Sequence, residues 1–113
     1  IAYKMYESDE DYEKALDIAQ SLIFEYPEQG TVYQMAGDMC MKRGDYEKAV
    51  FYFFRYNYFE ESSKSAEDLA TAYIKLNQLG QAKKTLSEAK KNGLNVSSLA
   101  ELLEKIRKNH DIK

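Results

Sequence analysis

The chain has 113 residues with one Cys, one His, one Pro and no Trp; 44% of its side chains are hydrophobic, 31% are charged, and the formal net charge is -3. That length suits one small domain or a short array of repeats. A lone cysteine closes no internal disulfide, and one Cys with one His cannot supply a four-ligand zinc site, so disulfide scaffold and zinc finger are both excluded.

No apolar run approaches the ~18 residues of a membrane helix, so no membrane insertion is expected. Ile1-Ala2-Tyr3-Lys4 has neither a Met nor a signal-peptide layout. More chain is therefore expected upstream of Ile1, and a cytoplasmic location is expected. The charge is divided along the chain. Residues 1–61 carry 6 basic and 13 acidic side chains, a net of -7, whereas residues 62–113 carry 10 and 6, a net of +4. Such a division fits either solvated helix faces that happen to differ, or halves that meet different partners, or two copies that stack head to tail.

In chain order, Ala2, Tyr3 and Tyr6 form the tail of a first helical stripe. The sequence Asp11-Tyr12-Glu13-Lys14-Ala15 opens a second stripe, with Tyr12, Ala15, Leu16, Ala19, Leu22 and Ile23 on one face and Pro27 as its stop. The same five letters return as Asp45-Tyr46-Glu47-Lys48-Ala49, and Leu79-Gly80-Gln81-Ala82 is a weaker third copy, spacings of 34 and 33 residues. Before the second copy, Tyr33, Ala36, Gly37 and Cys40 fall at i, i+3, i+4 and i+7. Arg43-Gly44-Asp45 breaks that helix, and Tyr46, Ala49, Val50, Phe53 and Tyr56 follow. Ala66, Leu69, Ala70, Tyr73 and Ile74, then Leu79, Ala82, Leu86 and Ala89, repeat the pair. Gly37, Ala15, Ala49, Ala70 and Ala82 stand where helices joined by short turns cross closely. After the stop at Asn92-Gly93, Ser98-Leu99-Ala100-Glu101 has capping-box spacing, and Leu99, Leu102, Leu103 and Ile106 form a narrow stripe suited to a terminal cap.

Chemistry-bearing constellations are sparse. His110 lies near the C-terminus, and the Asp9-Glu10-Asp11 and Glu60-Glu61 groups read as solvated acids at turns. Cys40 reads as a small buried apolar side chain rather than a reactive thiol. No phosphate loop, nucleophile elbow or calcium loop is present. No enzyme activity, metal or cofactor is expected. The basic set Lys83, Lys84, Lys90, Lys91, Lys105, Arg107 and Lys108 is interrupted by Glu88, Glu101 and Glu104 and lacks interleaved aromatics, so no nucleic-acid partner is expected. The run Phe51-Tyr52-Phe53-Phe54-Arg55-Tyr56-Asn57-Tyr58-Phe59 carries more aromatics than one core stripe needs. Phe54 is expected between repeats. Phe51, Tyr52 and Tyr58 are the candidates for an exposed convex interface, against the alternative of simple repeat packing.

These residues resemble the tetratricopeptide repeat (TPR) family. Tyr33, Ala36-Gly37, Cys40, Ala49 and Phe53 match its signature, as do Ala66, Leu69-Ala70, Tyr73, Ala82 and Leu86, and in the first unit Ala2-Tyr3, Tyr6, Ala15, Ala19 and Pro27. Cys40 replaces the family's Tyr, while Glu61 and Leu94 stand where a closing Pro is expected. The resemblance implies an all-α, TPR-like right-handed helical-hairpin solenoid of about seven antiparallel helices. It forms one domain over 1–113: a partial repeat 1–29, repeats 30–62 and 63–96, and a capping helix and tail 97–113. It also implies a non-catalytic module that binds a peptide or protein segment in a concave groove. The lining would be Lys4, Glu7, Thr31, Gln34, Asp38, Met41, Lys64, Glu67, Thr71, Ile74 and Lys75. A clamp for a C-terminal carboxylate is disfavoured, because Lys64 matches but Met35, Asp68 and Lys4 occupy other clamp positions. The alternatives are a self-assembling homo-oligomeric scaffold, acting through the convex aromatics or the acidic and basic ends, and a regulatory domain of a larger enzyme or a secretion-type chaperone.

Overall fold

The computed structural model describes residues 9–112. Six helices follow one another: α1 (Asp9–Glu25), α2 (Gly30–Arg43), α3 (Tyr46–Phe59), α4 (Ser63–Lys75), α5 (Leu79–Lys91) and α6 (Ser97–Ile112). No strand occurs among the described residues. The expected helix of Ala2, Tyr3 and Tyr6, which would bring the number to seven, lies outside the described residues.

Helices α2 and α3 form one hairpin, and α4 and α5 form the next. Their closeness is a matter of side-chain size. Ala36, Ala49, Ala66, Ala70, Ala72, Ala82 and Ala89 are buried at the helix contacts, where larger side chains would hold the backbones apart. Gly37 is the extreme case. A Cβ placed on it would come within 3.0 Å of three ring atoms of Phe53, so the ring of α3 lies directly on the backbone of α2. Phe53 is almost completely buried there, which is worth about 1.5–3 kcal/mol for a side chain of its kind.

Two apolar clusters result. The first joins α1, α2 and α3 and takes in Leu69 and Ala72 from α4. The second joins α4, α5 and α6 through Ala66, Ala70, Leu86, Ala89, Val96 and Leu103. Tyr73 packs against both. In α6, Leu103 is buried and Leu99 and Ile106 are half-buried, but Leu102 is exposed. The expected four-residue stripe is thus three residues wide in practice, because Leu102 is rotated about 100° from Leu103.

The turns reuse one device. Gly44 has φ 84°, its N–H reaches the Met41 carbonyl at 3.1 Å, and the Asp45 N–H reaches Cys40 at 2.8 Å. Asn77, with φ 60°, and Gly93, with φ 85°, end α4 and α5 with the same pair of bonds. This left-handed stop needs Gly or tolerates Asn, which explains why Asn77 stands one repeat after Gly44. Helix starts vary more. At α4, the Ser62 hydroxyl accepts from the Ser65 N–H at 3.1 Å, and the Ser65 hydroxyl accepts from the Ser62 N–H at 2.8 Å and donates to Asn57 Oδ1 at 2.7 Å. This capping box was missed because Ser, rather than Glu or Gln, fills its third position. The box expected at Ser98–Glu101 is corrected: α6 begins earlier, at Ser97, whose N–H donates to Asn95 Oδ1 at 3.3 Å.

Glu60 and Glu61 are latches. Glu60 Oε2 accepts from the Gly30 N–H at 3.1 Å, supplying the start of α2 with a carboxylate that Gln29 does not provide. Glu61 accepts from Asn92 Nδ2 at 2.9 and 3.1 Å, tying the end of α5 to the α3–α4 turn.

Cys40 is fully buried. The Tyr12 hydroxyl lies 3.3 Å from its Sγ and 3.5 Å from Asp45 Oδ2. Burial pushes the thiol up, and the Asp45 charge adds to this against the opposing Tyr12 hydrogen bond. The native chain should therefore react with Ellman's reagent at about pH 8 only as fast as it unfolds, with the thiol appearing at once in denaturant; rapid titration of the native protein would show the site to be open.

Candidate functional site

The expected groove lies along α2 and α4. Of its proposed lining, Gln34, Asp38, Met41, Glu67, Thr71 and Ile74 are half-buried, whereas Thr31, Lys64 and Lys75 are exposed. Lys4 and Glu7 lie outside the described residues. Asp38, Met41 and Thr71 come together around a cavity of about 370 Å³, with Lys42 and Asp68 on its walls and Phe53 at its base. The ring held against Gly37 thus also forms the groove floor. Gln34, Lys64, Glu67 and Lys75 do not line this cavity. Thr71 Oγ1 donates to the Glu67 carbonyl at 2.7 Å, a bond within α4 that fixes its rotamer.

Its electrostatics are set by two carboxylates from different helices. Asp68, with its side chain 17% exposed, is bridged by Lys64 Nζ at 3.0 and 3.1 Å, one turn back on α4. Burial would lower Lys64, but the hydrogen bond and charge of Asp68 outweigh it, and Asp38 adds to the upward shift. Asp38 itself is held above the ordinary carboxylate range. Burial is the main cause and the like charge of Asp68 the second; Lys64 and Lys42 oppose these without cancelling them. Tyr56 is also raised, by burial and then by Asp68. The ionised Asp38 therefore costs the free protein stability.

Phe53 is not among the groove residues expected from sequence, and Asp68 enters there only as a mismatch to the carboxylate clamp. For Phe53 the signal was its position four residues after Ala49. For Asp68 it was its i+4 spacing from Lys64, but its approach to Asp38 depends on how α2 and α4 pack.

On the outer side, the expectations for the aromatic run need correction. Tyr52 is only 6% exposed, and its hydroxyl accepts from Gln20 Nε2 of α1 at 3.1 Å. It belongs to the core and not to a convex interface. Phe54, expected between repeats, is 55% exposed. Phe51 and Tyr58 are exposed as expected, at 50% and 76%, and Arg55 covers one face of Phe51 with its guanidinium carbon 3.7 Å from the ring centroid. Phe59 stacks on Tyr33 with ring centroids 5.5 Å apart while staying 37% exposed.

A second cleft, about 520 Å³, lies between α5 and α6. Its apolar wall is Leu86, Leu94, Val96, Ala100 and Leu103, and Lys83, Lys90, Glu101 and Glu104 stand exposed around it. It offers apolar surface but no half-buried charge to select a ligand, so the α2–α4 cavity is the better candidate site despite its smaller volume. Among the described residues no group of three or more His, Cys, Asp or Glu side chains is placed to hold a metal ion, and no helix is long and apolar enough to cross a membrane.

The hairpin of α2 and α3, with small residues at the crossing and a left-handed stop between its arms, is the decisive feature. Residues 30–53, from the start of α2 to the Phe53 ring, match the tetratricopeptide repeat family. The likeness covers this one hairpin segment of the chain. Among curated proteins none matches it. TPR repeats generally mediate protein–protein interactions and are generally non-catalytic.

The raised Asp38 carboxyl has a measurable consequence. A carboxyl whose folded-state value lies above its unfolded one, about 3.9 for Asp, adds stability below that unfolded value and loses it as pH rises through the folded value. Asp38→Asn should therefore melt higher than the parent near neutrality, with the advantage vanishing as pH falls towards about 4. Thermal denaturation of both proteins across that range is the check.

Proposed function

We propose that this chain is a protein-interaction module whose α2–α4 groove receives a segment of another protein, with a cationic side chain seated between Asp38 and Asp68. The observation that carries this reading is that Asp38 and Asp68, carboxylates from two different helices, line one cavity. A half-buried carboxylate beside a like charge, facing a cavity, destabilises the free protein. A guanidinium or ammonium group entering that cavity would offset the cost, and a guanidinium could meet a carboxylate with two parallel hydrogen bonds. Met41 on the same wall adds an adaptable apolar contact for the aliphatic stem of Lys or Arg.

The same geometry argues against capture of a C-terminal carboxylate. Lys64, the residue that matches such a clamp, is already bridged to Asp68, and an incoming anion would face both Asp38 and Asp68. A role as a regulatory domain within a larger enzyme, or as a secretion-type chaperone, would use this groove in the same way. No observation on these helices favours either over an adaptor.

Selection from a random peptide display library on the immobilised chain should enrich sequences with Lys or Arg at one fixed position. Affinity for the selected peptides should fall at least about tenfold, or 1.4 kcal/mol, in Asp38→Asn, and should fall as Asp38 is protonated on acidification. Selected peptides without a basic residue, or indifferent to Asp38→Asn, would count against the proposal.

A further inference from the structure

Helix α3 presents a second face that the groove does not use. With Ala49, Tyr52, Phe53 and Tyr56 turned inward, the helical period places Phe51, Phe54 and Tyr58 together on the opposite side at i, i+3 and i+7. All three are exposed. A side chain of this kind buries about 150–250 Å² when covered, so at the observed exposures the stripe leaves about 270–450 Å² of aromatic surface open, comparable with the largest apolar patch on a typical monomer, about 300–600 Å² and often functional. Arg55 lies flat over Phe51 and stiffens one edge.

We propose that this stripe is a self-association surface, and that a second copy of this chain covers it with its own α3, the two-fold axis running along the helix. The charges beside the stripe select that occupant and that orientation. α1, bonded to α3 through Gln20 and Tyr52, exposes Glu10, Glu13, Asp17 and Glu25 against the single exposed Lys14. α5, which packs on α4 as α4 packs on α3, exposes Lys84 and Lys91 in addition to the Lys83 and Lys90 of the α5–α6 cleft, against Glu88. A two-fold axis along α3 exchanges left and right, so the acidic α1 of each copy faces the basic α5 of the other. A two-fold axis across α3 would set α1 on α1 and α5 on α5, like charge on like. The division of the chain into a -7 front and a +4 back thus becomes self-complementary in one arrangement only.

The area sets the strength. Two stripes together cover about 550–900 Å², and flanking side chains bring the total near the lower edge of stable interfaces, about 1,200 Å². The dimer should therefore be weak and concentration-dependent. It leaves the α2–α4 groove open, so its failure and the failure of the groove reading are separate results.

Sedimentation equilibrium of the chain from about 5 µM to about 500 µM, a span suited to an interface of this size, should show the mass rising from monomer towards dimer. Association should weaken between about 50 mM and about 500 mM NaCl. Phe54→Asp and Tyr58→Asp, both at exposed positions, should keep the helical circular dichroism and remain monomeric. Lys84→Glu with Lys91→Glu should weaken association at least about tenfold, and adding Glu13→Lys with Asp17→Lys should restore it. A monomer at every concentration, which would leave the stripe to a different molecule, overturns the proposal. So does a dimer that survives Phe54→Asp, or one that the four charge reversals do not recover.

Discussion

The contact of the Phe53 ring with the backbone of α2 at Gly37 sets the geometry of everything around it. It can form only because Gly37 has no side chain, and it brings α3 closer to α2 than any other residue at that position would allow. It also fixes how α3 is rotated. With Phe53 pinned inward, Ala49, Tyr52 and Tyr56 follow it into the core, and Phe51, Phe54 and Tyr58 are left outside. The inner edge of the same ring becomes the floor of the cavity between Asp38 and Asp68. One close approach therefore positions both the α2–α4 cavity and the exposed aromatic stripe. Glycine within a helix costs about 1 kcal/mol against alanine, and the burial of Phe53 more than offsets it.

Around this contact the helix ends are tied down by short, local bonds. Left-handed stops at Gly44, Asn77 and Gly93 close α2, α4 and α5, while Glu60 and Glu61 reach from the α3–α4 turn to the start of α2 and the end of α5. Tyr73, packed against both apolar clusters, links the hairpin pairs. A scaffold held in this way can carry a strained group such as Asp38, because the surrounding elements define its position independently of it.

Much of the fold was legible because helical periodicity and the recurring Asp-Tyr-Glu-Lys-Ala sequence are local signals. The stops at Gly44 and Pro27, the close-packing role of Gly37 and the burial of Cys40 all follow from residue type and spacing. The phase of α3 was harder to read. In a helix with aromatics on every side, hydrophobicity does not say which ring faces in, and Tyr52 was placed outside and Phe54 inside. The partner that satisfies the Tyr52 hydroxyl, Gln20, lies 32 residues away and leaves no local signal. Of the α2–α4 cavity, Asp38, Met41 and Thr71 are marked by helical spacing alone. Its chemistry was not legible, because the proximity of Asp38 to Asp68 belongs to the packing of α2 against α4 and leaves no trace in either helix alone. The Ser62–Ser65 box escaped for a simpler reason, since Ser does there what Glu or Gln usually does.

The measurement that bears most directly on this account is a double-mutant cycle between Gly37 and Phe53, read by chemical denaturation of Gly37→Ala, Phe53→Leu and the pair. The account predicts that Gly37→Ala destabilises the parent although alanine is the better helix former, and that much of this cost disappears once Phe53 is Leu, a coupling of about 1 kcal/mol or more. Stabilisation by Gly37→Ala in the parent, or costs that simply add, would contradict it.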